Sequence, residues 1–396
     1  MTALVVGGGF AGLAAAWALA RRGREVRIVW DGAGASALYS GALDRGQWGA
    51  LPDAAPLSAD AEAFLAVLGC FAPSGASAAR VATSSGVLRP ARCRDRALLD
   101  LEPWRGRRVD VVDLGRPGWD AAALARAWTE CRWARQSGTT FRAVAVEAPE
   151  IEAVRRLPPG ELAARVDDPA WAASLARALV RAGEGEGPLL MGPWLGLEPA
   201  SVEQLRAQLR RPIGEVLSEP GGAAGARFEA ARDAWLSEAG VRVEQASVRS
   251  IHWRGSSYEV SCTREDGALD SLGEDVTAVV LAVGGVVGGG VWFLAGGGPE
   301  GRSFSLSLDA GLPVRLAGRE VALSSGALGV DLQQLGLEAL ERVGVSVDEH
   351  MLARAPALYA AGDVVEGRPR CALDAIDSGL EAARALCRAK APSLNS

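Results

Sequence analysis

The chain has 396 residues, of which 49% are hydrophobic and 23% are charged, so it can bury a large core in one large domain or two smaller ones. This composition excludes disorder and fibrous repeats. The formal net charge of −6 argues against nucleic-acid binding. The only lysine, Lys390, lies near the C-terminus, which argues against an enzyme that needs a lysine Schiff base. The 6 cysteines contain no CxxC pair and there are only 2 histidines, so we expect neither a zinc site nor an iron–sulfur cluster in this chain.

The N-terminus is predicted to start directly with a strand, Ala3–Val6, and no signal peptide is recognised there. One uncharged stretch, 278–298, has the length of a membrane span. Its many glycines disfavour a helix, so we predict a buried strand, Val279–Val283, followed by a glycine loop. A cytoplasmic protein without a membrane span of its own is therefore expected.

A strand, a glycine-rich turn, a helix and a second strand are predicted in the first thirty residues, with the helix at Leu13–Arg22 and the second strand at Glu25–Trp30. The turn has the G-x-G-x-x-G spacing of dinucleotide-binding proteins. Its glycines allow a tight turn, close approach of a pyrophosphate and close packing of helix on strand. We expect the anion at the N-terminus of the helix. The predicted contact residues are Gly7, Gly8, Gly9, Phe10, Ala11 and Gly12.

The end of the second strand is where a carboxylate usually binds the ribose hydroxyls of the nucleotide. Trp30 stands at the expected position and Asp31 follows one residue later. Asp31 either reaches the ribose or is a solvated turn residue, and the sequence leaves both open. We include Trp30 and Asp31 in the predicted cofactor site.

Later segments resemble those of FAD-dependent oxidoreductases. A helix over Arg227–Ala239 is followed by predicted strands at Val241–Glu244, Val248–Trp253 and Tyr258–Cys262, and then by Val276–Val283 and a glycine pair. Near the C-terminus, 357–363 is predicted as a strand ending in Gly-Asp, followed by a helix over about 373–388. In that superfamily the Gly-Asp contacts the flavin's ribityl and phosphate groups, and the next helix directs its positive N-terminus at the ring. The resemblance adds Val248, Gly284, Gly362 and Asp363 to the predicted cofactor site.

Between these segments lie helix patterns typical of another domain, at 120–137 with Asp120 as N-cap, at 169–182 and at 199–211. The predicted fold class is α/β, an FAD/NAD(P)-binding Rossmann-like (two-dinucleotide-binding) fold with an inserted cap/substrate domain. The discontinuous flavin-binding domain is predicted at 1–85, 221–295 and 350–396, and the cap domain at 86–220 and 296–349. The segment Gly183–Gly187 is interpreted as a flexible connector.

The segment Ser40–Asp44 (SGALD) resembles the SGSLD segment of the B subunit of anaerobic glycerol-3-phosphate dehydrogenase. Further matches follow in the same order at 189–194, 208–216, 281–291 and 358–362, so the resemblance covers most of the chain at a moderate to weak level. It implies that Ser40 and Gly41 contact a flavin. It also implies a hetero-oligomer with a second flavoprotein subunit and an iron–sulfur subunit, which links the complex to the inner membrane and passes electrons to quinone.

FAD is the expected cofactor because the glycine turn suits a dinucleotide, and FMN is the alternative because the family is usually described with it. The chain departs from the family after Asp363, where fewer glycines and more charges occur, and this weakens the implied substrate.

The sequence identifies no catalytic base. His252 and His350 are interpreted as structural, and the pair Arg210 and Arg211 as lying at a helix end. Arg368 and Arg370 either bind an anion or are solvated.

Three hypotheses for function follow from these observations. The first is a flavoprotein subunit of a multi-subunit dehydrogenase that oxidises glycerol 3-phosphate or a related donor. The second is a self-contained FAD oxidoreductase that acts on another small alcohol, amine or acid. The third is a non-catalytic assembly subunit that has lost its flavin.

Overall fold

The computed structural model describes residues 2–44, 56–75, 77–147, 149–182, 187–209, 211–273, 275–294, 302–316, 319–320, 322–323, 342–353 and 355–389. The chain divides into two compact units. The first unit comprises Met1–Ser36 and Trp235–Ser396, and the second unit comprises Ala37–Ala234. The connector expected at Gly183–Gly187 lies mostly outside the described residues.

In chain order the strands are β1 (Thr2–Val6), β2 (Glu25–Trp30), β3 (Ala42–Leu43), β4 (Phe71–Pro73), β5 (Ala79–Ala82), β6 (Leu88–Ala91), β7 (Cys93–Asp95), β8 (Arg108–Asp113), β9 (Thr140–Ala145), β10 (Leu189–Met191), β11 (Ile213–Glu215), β12 (Arg242–Trp253), β13 (Tyr258–Arg264), β14 (Leu269–Ser271), β15 (Val276–Leu281), β16 (Val291–Leu294), β17 (Arg302–Leu306), β18 (Val314–Leu316), β19 (Arg319–Glu320), β20 (Ala322–Leu323), β21 (Val343–Val345) and β22 (Leu358–Ala360). The α-helices are α1 (Phe10–Ala20), α2 (Ala59–Leu68), α3 (Ala121–Glu130), α4 (Arg132–Ser137), α5 (Pro149–Val154), α6 (Pro159–Val166), α7 (Pro169–Ala182), α8 (Ser201–Leu209), α9 (Ala223–Glu238) and α10 (Ala372–Arg388). Short 3-10 helices occur at Ala35–Leu38, Glu102–Trp104 and Gly362–Val364.

The first unit is built on a sheet with the strand order β14-β13-β12-β2-β1-β15-β22. The neighbours from β12 to β22 pair in parallel, and β13 and β14 extend the sheet in antiparallel fashion. β1 lies between β2 and β15 and is buried along its whole length, as its unbroken apolar run predicts for a central parallel strand. The predicted Rossmann-like α/β fold is thereby confirmed.

Two predicted boundaries in this unit were wrong in detail. α1 begins at Phe10 instead of Leu13, so the glycine turn is shorter than expected. The two strands expected at Val241–Glu244 and Val248–Trp253 form one continuous strand, β12. It pairs with β2 over Arg242–Gln245 and with β13 over Ala246–Trp253, and the pairing with β13 contains a register shift between Val248 and Ser250.

The second unit contains a separate four-stranded sheet with the order β11-β10-β8-β9, in which every pair is parallel. Its helices cover a core that includes three tryptophans, Trp119, Trp128 and Trp194. Two small antiparallel sheets, β3-β7-β4 and β5-β6, complete the described part of this unit. β3 and β4 both pair with β7, so these strands group with the second unit and not with the Rossmann-like unit.

The helix predicted over 120–137 is divided into α3 and α4. Asp120 caps α3 as predicted and accepts a hydrogen bond from the Ala123 N–H at 2.8 Å. Cys131 then adopts an extended conformation, with φ −67° and ψ 156°, and starts α4. α7 spans the predicted 169–182, whereas α8 is shorter than the predicted 199–211. No helix in the described part of the chain is long and apolar enough to cross a membrane.

Candidate functional site

The glycine turn between β1 and α1 has the backbone that a dinucleotide-binding loop needs. Gly7 has φ 120°, and a Cβ there would collide with the Ala282 carbonyl oxygen at the end of β15. A Cβ on Gly12 would collide with the Gly7 carbonyl oxygen. These two positions therefore need glycine to place α1 directly against the strand ends, which leaves the N-terminus of α1 at the carboxyl edge of the sheet.

The N-terminus of α1 carries a hydroxyl group that the sequence analysis missed. The Phe10 N–H donates to Ser36 Oγ at 2.9 Å. A Cβ on Gly9 would lie 2.7 Å from the same Oγ. Ser36 thus occupies the place next to the first turn of a helix where an anion oxygen would accept hydrogen bonds. Its only sequence signal is a hydroxyl a few residues beyond β2, which is too common to identify it.

The turn at Gly362 and Asp363 lies against the start of α1. Gly362 has φ 75°, and a Cβ there would lie 2.7 Å from the Ala11 Cβ. The Gly362 N–H donates to Ser378 Oγ in α10 at 2.8 Å. Burial raises the pKa of Asp363, and the nearby Arg370 guanidinium opposes that rise. The fold therefore brings two sequence-predicted segments together, although they are separated by about 350 residues.

The second glycine loop, which follows β15, reaches the same place. A Cβ on Gly285 would lie 2.7 Å from the Asp363 carbonyl oxygen. Gly284 has φ 83° and packs against Gly288. A Cβ added to Gly288 would lie 3.6 Å from Ala35. Four segments of the first unit thus meet at one edge of the sheet: the α1 turn, Ala35–Ser36, the loop after β15 and the Gly362–Asp363 turn. We call this place the glycine site.

Trp30 faces the glycine site, and its side chain is buried. A Cβ on Gly8 would lie 2.7 Å from Trp30 Cδ2, so the indole lies directly on the Gly8 backbone. An indole N–H only donates hydrogen bonds and cannot accept them from ribose hydroxyls. Asp31 is exposed, and its contact with a ribose stays a prediction. Val248 is buried in β12, pairs with Cys262, and likewise stays a predicted contact residue.

The arginines near the glycine site are bound to the protein. Arg370 donates to the carbonyl oxygens of Asp363, of Val365 at 3.0 Å and of Val343 at 2.5 Å. Arg368 forms an ion pair with Glu381 at 2.6 Å. Both residues therefore hold the loop before α10 in place, and binding of an anion by either one stays a prediction.

The two histidines do not lie together. His252 Nε2 lies 3.6 Å from an Asp309 oxygen, and His350 is exposed in a turn. In the described part of the chain, no group of three or more histidine, cysteine or acidic residues could hold a metal ion. The six cysteines are free thiols.

The SGALD segment belongs to the second unit. The Gly41 carbonyl oxygen accepts the Asp95 N–H at 2.6 Å, and the Ser40 carbonyl oxygen accepts the Ser218 N–H at 2.9 Å. Asp44 Oδ1 accepts the Arg92 N–H at 3.0 Å, while its other oxygen pairs with a neighbouring arginine. These bonds fix the conformation of the segment. The contact of Ser40 and Gly41 with a flavin stays a prediction.

A buried ion cluster stabilises the second unit beside SGALD. Arg227 donates to Asp95 at 2.8 Å, to Glu215, and to the Gly196 carbonyl oxygen at 2.5 Å. Tyr39 donates to the same aspartate at 3.3 Å. Burial disfavours the charge on Arg227, but the two carboxylates outweigh burial and hold its pKa well above the usual range. Burial raises the pKa of Glu215, which the arginine opposes.

Arg211 also differs from its predicted role at a helix end. Its guanidinium binds Asp110 at 2.5 Å and the Gly187 carbonyl oxygen, so it links the β10–β11 region to β8. Arg210, the other member of the predicted pair, lies outside the described residues.

Comparison with known proteins identifies the glycine site's N-terminal segment. Residues 5–37 match the model of an NAD(P)-binding Rossmann-like domain. No curated protein sequence matches the chain. Among solved structures, AlpK is similar with a TM-score of 0.33 and 13% identity over 96% of this chain, which spans 59% of the AlpK chain.

Two further solved structures cover nearly the whole chain. The GidA-related protein from Thermus thermophilus has a TM-score of 0.32 and 13% identity, with 97% of each chain covered. Thioredoxin reductase from T. acidophilum has a TM-score of 0.24 and 14% identity, with 97% of this chain and 96% of that one covered. These similarities are remote. The segment that a family model identifies is β1–α1–β2, a Rossmann-like dinucleotide-binding unit.

Proposed function

We propose that the chain is a flavin-dependent oxidoreductase that binds FAD at the glycine site. One observation carries this proposal: the α1 turn, Ser36, the loop after β15 and the Gly362–Asp363 turn meet at the carboxyl edge of one parallel sheet. In Rossmann-like folds this edge is where a dinucleotide binds. The Gly-Asp turn followed by a long helix favours flavin over nicotinamide, because it resembles the corresponding segment of FAD-dependent oxidoreductases.

The residues at the phosphate end fit the cofactor. Ser36 Oγ accepts from the Phe10 N–H and can still donate its own proton, so the Ser36 hydroxyl and the other first-turn N–H groups of α1 would bind the pyrophosphate. Asp363 would bind the hydroxyl groups of the ribityl chain. α10 starts beside this turn, and the positive end of its dipole would favour a negative charge on the ring. A bound flavin would supply hydride acceptance and electron release.

The first test is the visible spectrum of the purified full chain, followed by release of the cofactor and identification by mass. We expect a yellow protein that releases FAD. Release of FMN would support binding of the flavin phosphate at the glycine site and would show that the chain does not bind the adenosine half of FAD. A colourless protein that fails to take up flavin on reconstitution would contradict the proposal.

A Gly9→Glu variant tests the placement of the cofactor. Gly9 has ordinary backbone angles, and its Cβ would meet only the Ser36 side chain, whose hydroxyl must turn away, so the variant is expected to fold. The carboxylate would repel the pyrophosphate, and flavin affinity should fall by about tenfold or more, which is ~1.4 kcal/mol. Gly160→Glu is the control, because Gly160 is exposed and has no neighbour within 4 Å. Equal flavin content in the two variants would place the cofactor elsewhere.

The finer form of the proposal is a flavoprotein subunit that resembles the B subunit of anaerobic glycerol-3-phosphate dehydrogenase and works with a second flavoprotein subunit and an iron–sulfur subunit. The SGALD segment and the second glycine loop support it by resemblance. Tagging the chain in its own cells and isolating it gently should recover an iron–sulfur partner. Full turnover of the isolated chain with an artificial acceptor and another small alcohol, amine or acid would instead support a self-contained oxidoreductase.

Trp30 favours a second candidate, a subunit that has the fold and lacks the dinucleotide. The indole lies on Gly8 and supplies no acceptor for the ribose hydroxyls. Titration with FAD, FMN and ADP separates the alternatives. Tight binding of FAD alone supports the first proposal, equal binding of FAD and FMN shows that the adenosine half adds nothing, and binding of none of the three supports the assembly subunit.

A further inference from the structure

The four-stranded sheet of the second unit has a topological switch point. From β8 the chain passes through α3 and α4 to β9 on one side, and then through α5, α6 and α7 to β10 on the other side. The connections that leave β8 and β10 therefore diverge. In open parallel sheets such a divergence creates a crevice outside the carboxyl ends of the two strands, and this crevice is the usual ligand site.

Arg116 lies at this crevice. It belongs to the loop after β8, and its guanidinium stacks on Trp194 in the loop after β10, with Cζ 4.6 Å from the ring centroid. The same guanidinium donates to the carbonyl oxygens of Leu157 at 2.6 Å and Val154 at 3.4 Å, which follow β9. It thus touches the segments after three neighbouring strands. Trp119, in the loop of Arg116, packs edge-on against the same tryptophan.

The charge of Arg116 is buried without a counter-charge. Arg116 is 8% exposed, and its Nε has no hydrogen-bond partner among the described residues. No described carboxylate pairs with it, and burial lowers its pKa. An uncompensated buried charge is costly, so a residue kept in this state is expected to meet an anion.

Other buried arginines of the second unit have the carboxylate partner that Arg116 lacks among the described residues. Arg227 binds two carboxylates, and Arg89 pairs with Asp44, so both of these charges are compensated inside the protein. Arg116 combines an unpartnered donor with an uncompensated charge and with a position at the switch point.

We propose that the crevice between the carboxyl ends of β8 and β10 binds a small molecule that carries a carboxylate or phosphate group, and that Arg116 is its anchor. The Nε–H is buried and has no partner among the described residues, so an oxyanion would have to enter the crevice to accept from this edge of the planar guanidinium. Trp194 holds the guanidinium plane by stacking, so it orients the anchor. The site lies within the second unit and does not rest on the proposed flavin.

Thermal unfolding of the full chain tests the proposal, with inorganic phosphate, acetate and malonate as probes and sodium chloride at matched ionic strength as the reference. We expect a saturable rise in Tm with at least one oxyanion, of roughly 5–10 °C at about a hundred times its Kd. Arg116→Gln should weaken this anion about 10- to 100-fold, because it removes a hydrogen bond to a charged group. Arg108→Gln is the control, since Arg108 is an exposed arginine at the opposite end of β8, and it should retain wild-type affinity.

Two results would overturn the proposal. The first is a wild-type chain whose Tm follows ionic strength alone for all three probes. The second is an unchanged Kd in the Arg116→Gln variant. If that variant does not fold, Arg116→Lys replaces it, because lysine keeps the charge and lacks the planar donor edge. The Arg116→Lys variant should bind the anion less tightly than the wild type. Equal affinity of the two proteins would also refute the assignment. Each of these results is independent of whether the chain holds flavin.

Discussion

Replacing Arg227 by methionine tests how strongly the buried ion cluster stabilises the second unit. The side chain of Arg227 is 1% exposed, and those of its partners Asp95 and Glu215 are 1% and 0% exposed. Without the guanidinium, two buried carboxylates lose their counter-charge, which costs about 3–5 kcal/mol. With about 2–4 °C of Tm per kcal/mol for a unit of this size, the transition should fall by roughly 6–20 °C.

The pH dependence of this loss provides a stricter check. Burial raises the pKa of Glu215, and Arg227 opposes that rise, so the variant's Glu215 should have a still higher pKa. A carboxyl group whose pKa is raised on folding stabilises the folded state fully below its unfolded pKa, and this contribution is lost as pH rises through the folded pKa. The difference in Tm between variant and wild type should therefore shrink as the pH is lowered from about 8 to about 5.

Arg232→Met is the matched control. Arg232 lies in the same helix, and its side chain is 9% exposed, but its partners Glu229 and Asp233 are 34% and 59% exposed. Water screens such pairs, so the control should lose only about 0–1 kcal/mol from them. Differential scanning calorimetry of the three proteins measures the effects. Equal losses in the two variants, or a loss at Arg227 that does not change with pH, would refute the reasoning.

Three further predictions concern single positions. Asp44→Ala removes the buried acceptor of the Arg92 N–H and should lower the free energy of unfolding in urea by about 3 kcal/mol, whereas an unchanged midpoint would show that SGALD does not need its aspartate. Gly12→Ala forces a Cβ onto the Gly7 carbonyl oxygen and should prevent a stable first unit, seen as rapid proteolysis of the N-terminal segment; a protease-resistant variant would contradict the tight turn. Burial raises the pKa of Cys93 to about 12, so its thiol should resist iodoacetamide at about pH 8 until the protein unfolds, which peptide mass spectrometry detects.

The first unit could be predicted where its signals are local. The apolar run of β1, the glycine spacing and the alanine-rich α1 lie within the first twenty residues, and the structure confirms the strand, the turn and the helix, although α1 begins at Phe10 instead of Leu13. The strand before Gly362–Asp363 and the helix after it were also predicted, because both have clear local patterns, whereas contact of this turn with a flavin stays a prediction. Ser36 was not identified, since its role depends on a contact with Phe10 across the β2 crossover and not on spacing.

The second unit was less predictable because its important contacts join distant positions. Arg227 and Asp95 are 132 residues apart, and no pattern pairs one arginine with one aspartate among many. The sequence has no signal for Arg116, because its charge becomes buried only when the loops after β8 and β10 fold together. The division between α3 and α4 has a different cause: Cys131 lies in an otherwise continuous helical pattern, adopts an extended backbone there, and accepts the Ala134 N–H with its Sγ as the N-cap of α4.

The position of the second unit within the chain affects how the protein is made. β1 and β2 emerge first, yet their neighbours β15 and β12 are synthesised more than 200 residues later. At about 5–20 residues per second, the ribosome needs about 10–50 s to supply them. The whole of the second unit, including its own sheet, is translated within that interval. The buried pair β1 and β2 therefore keeps its outer strand edges unpaired throughout that interval, and we expect this part of the nascent chain to need a chaperone.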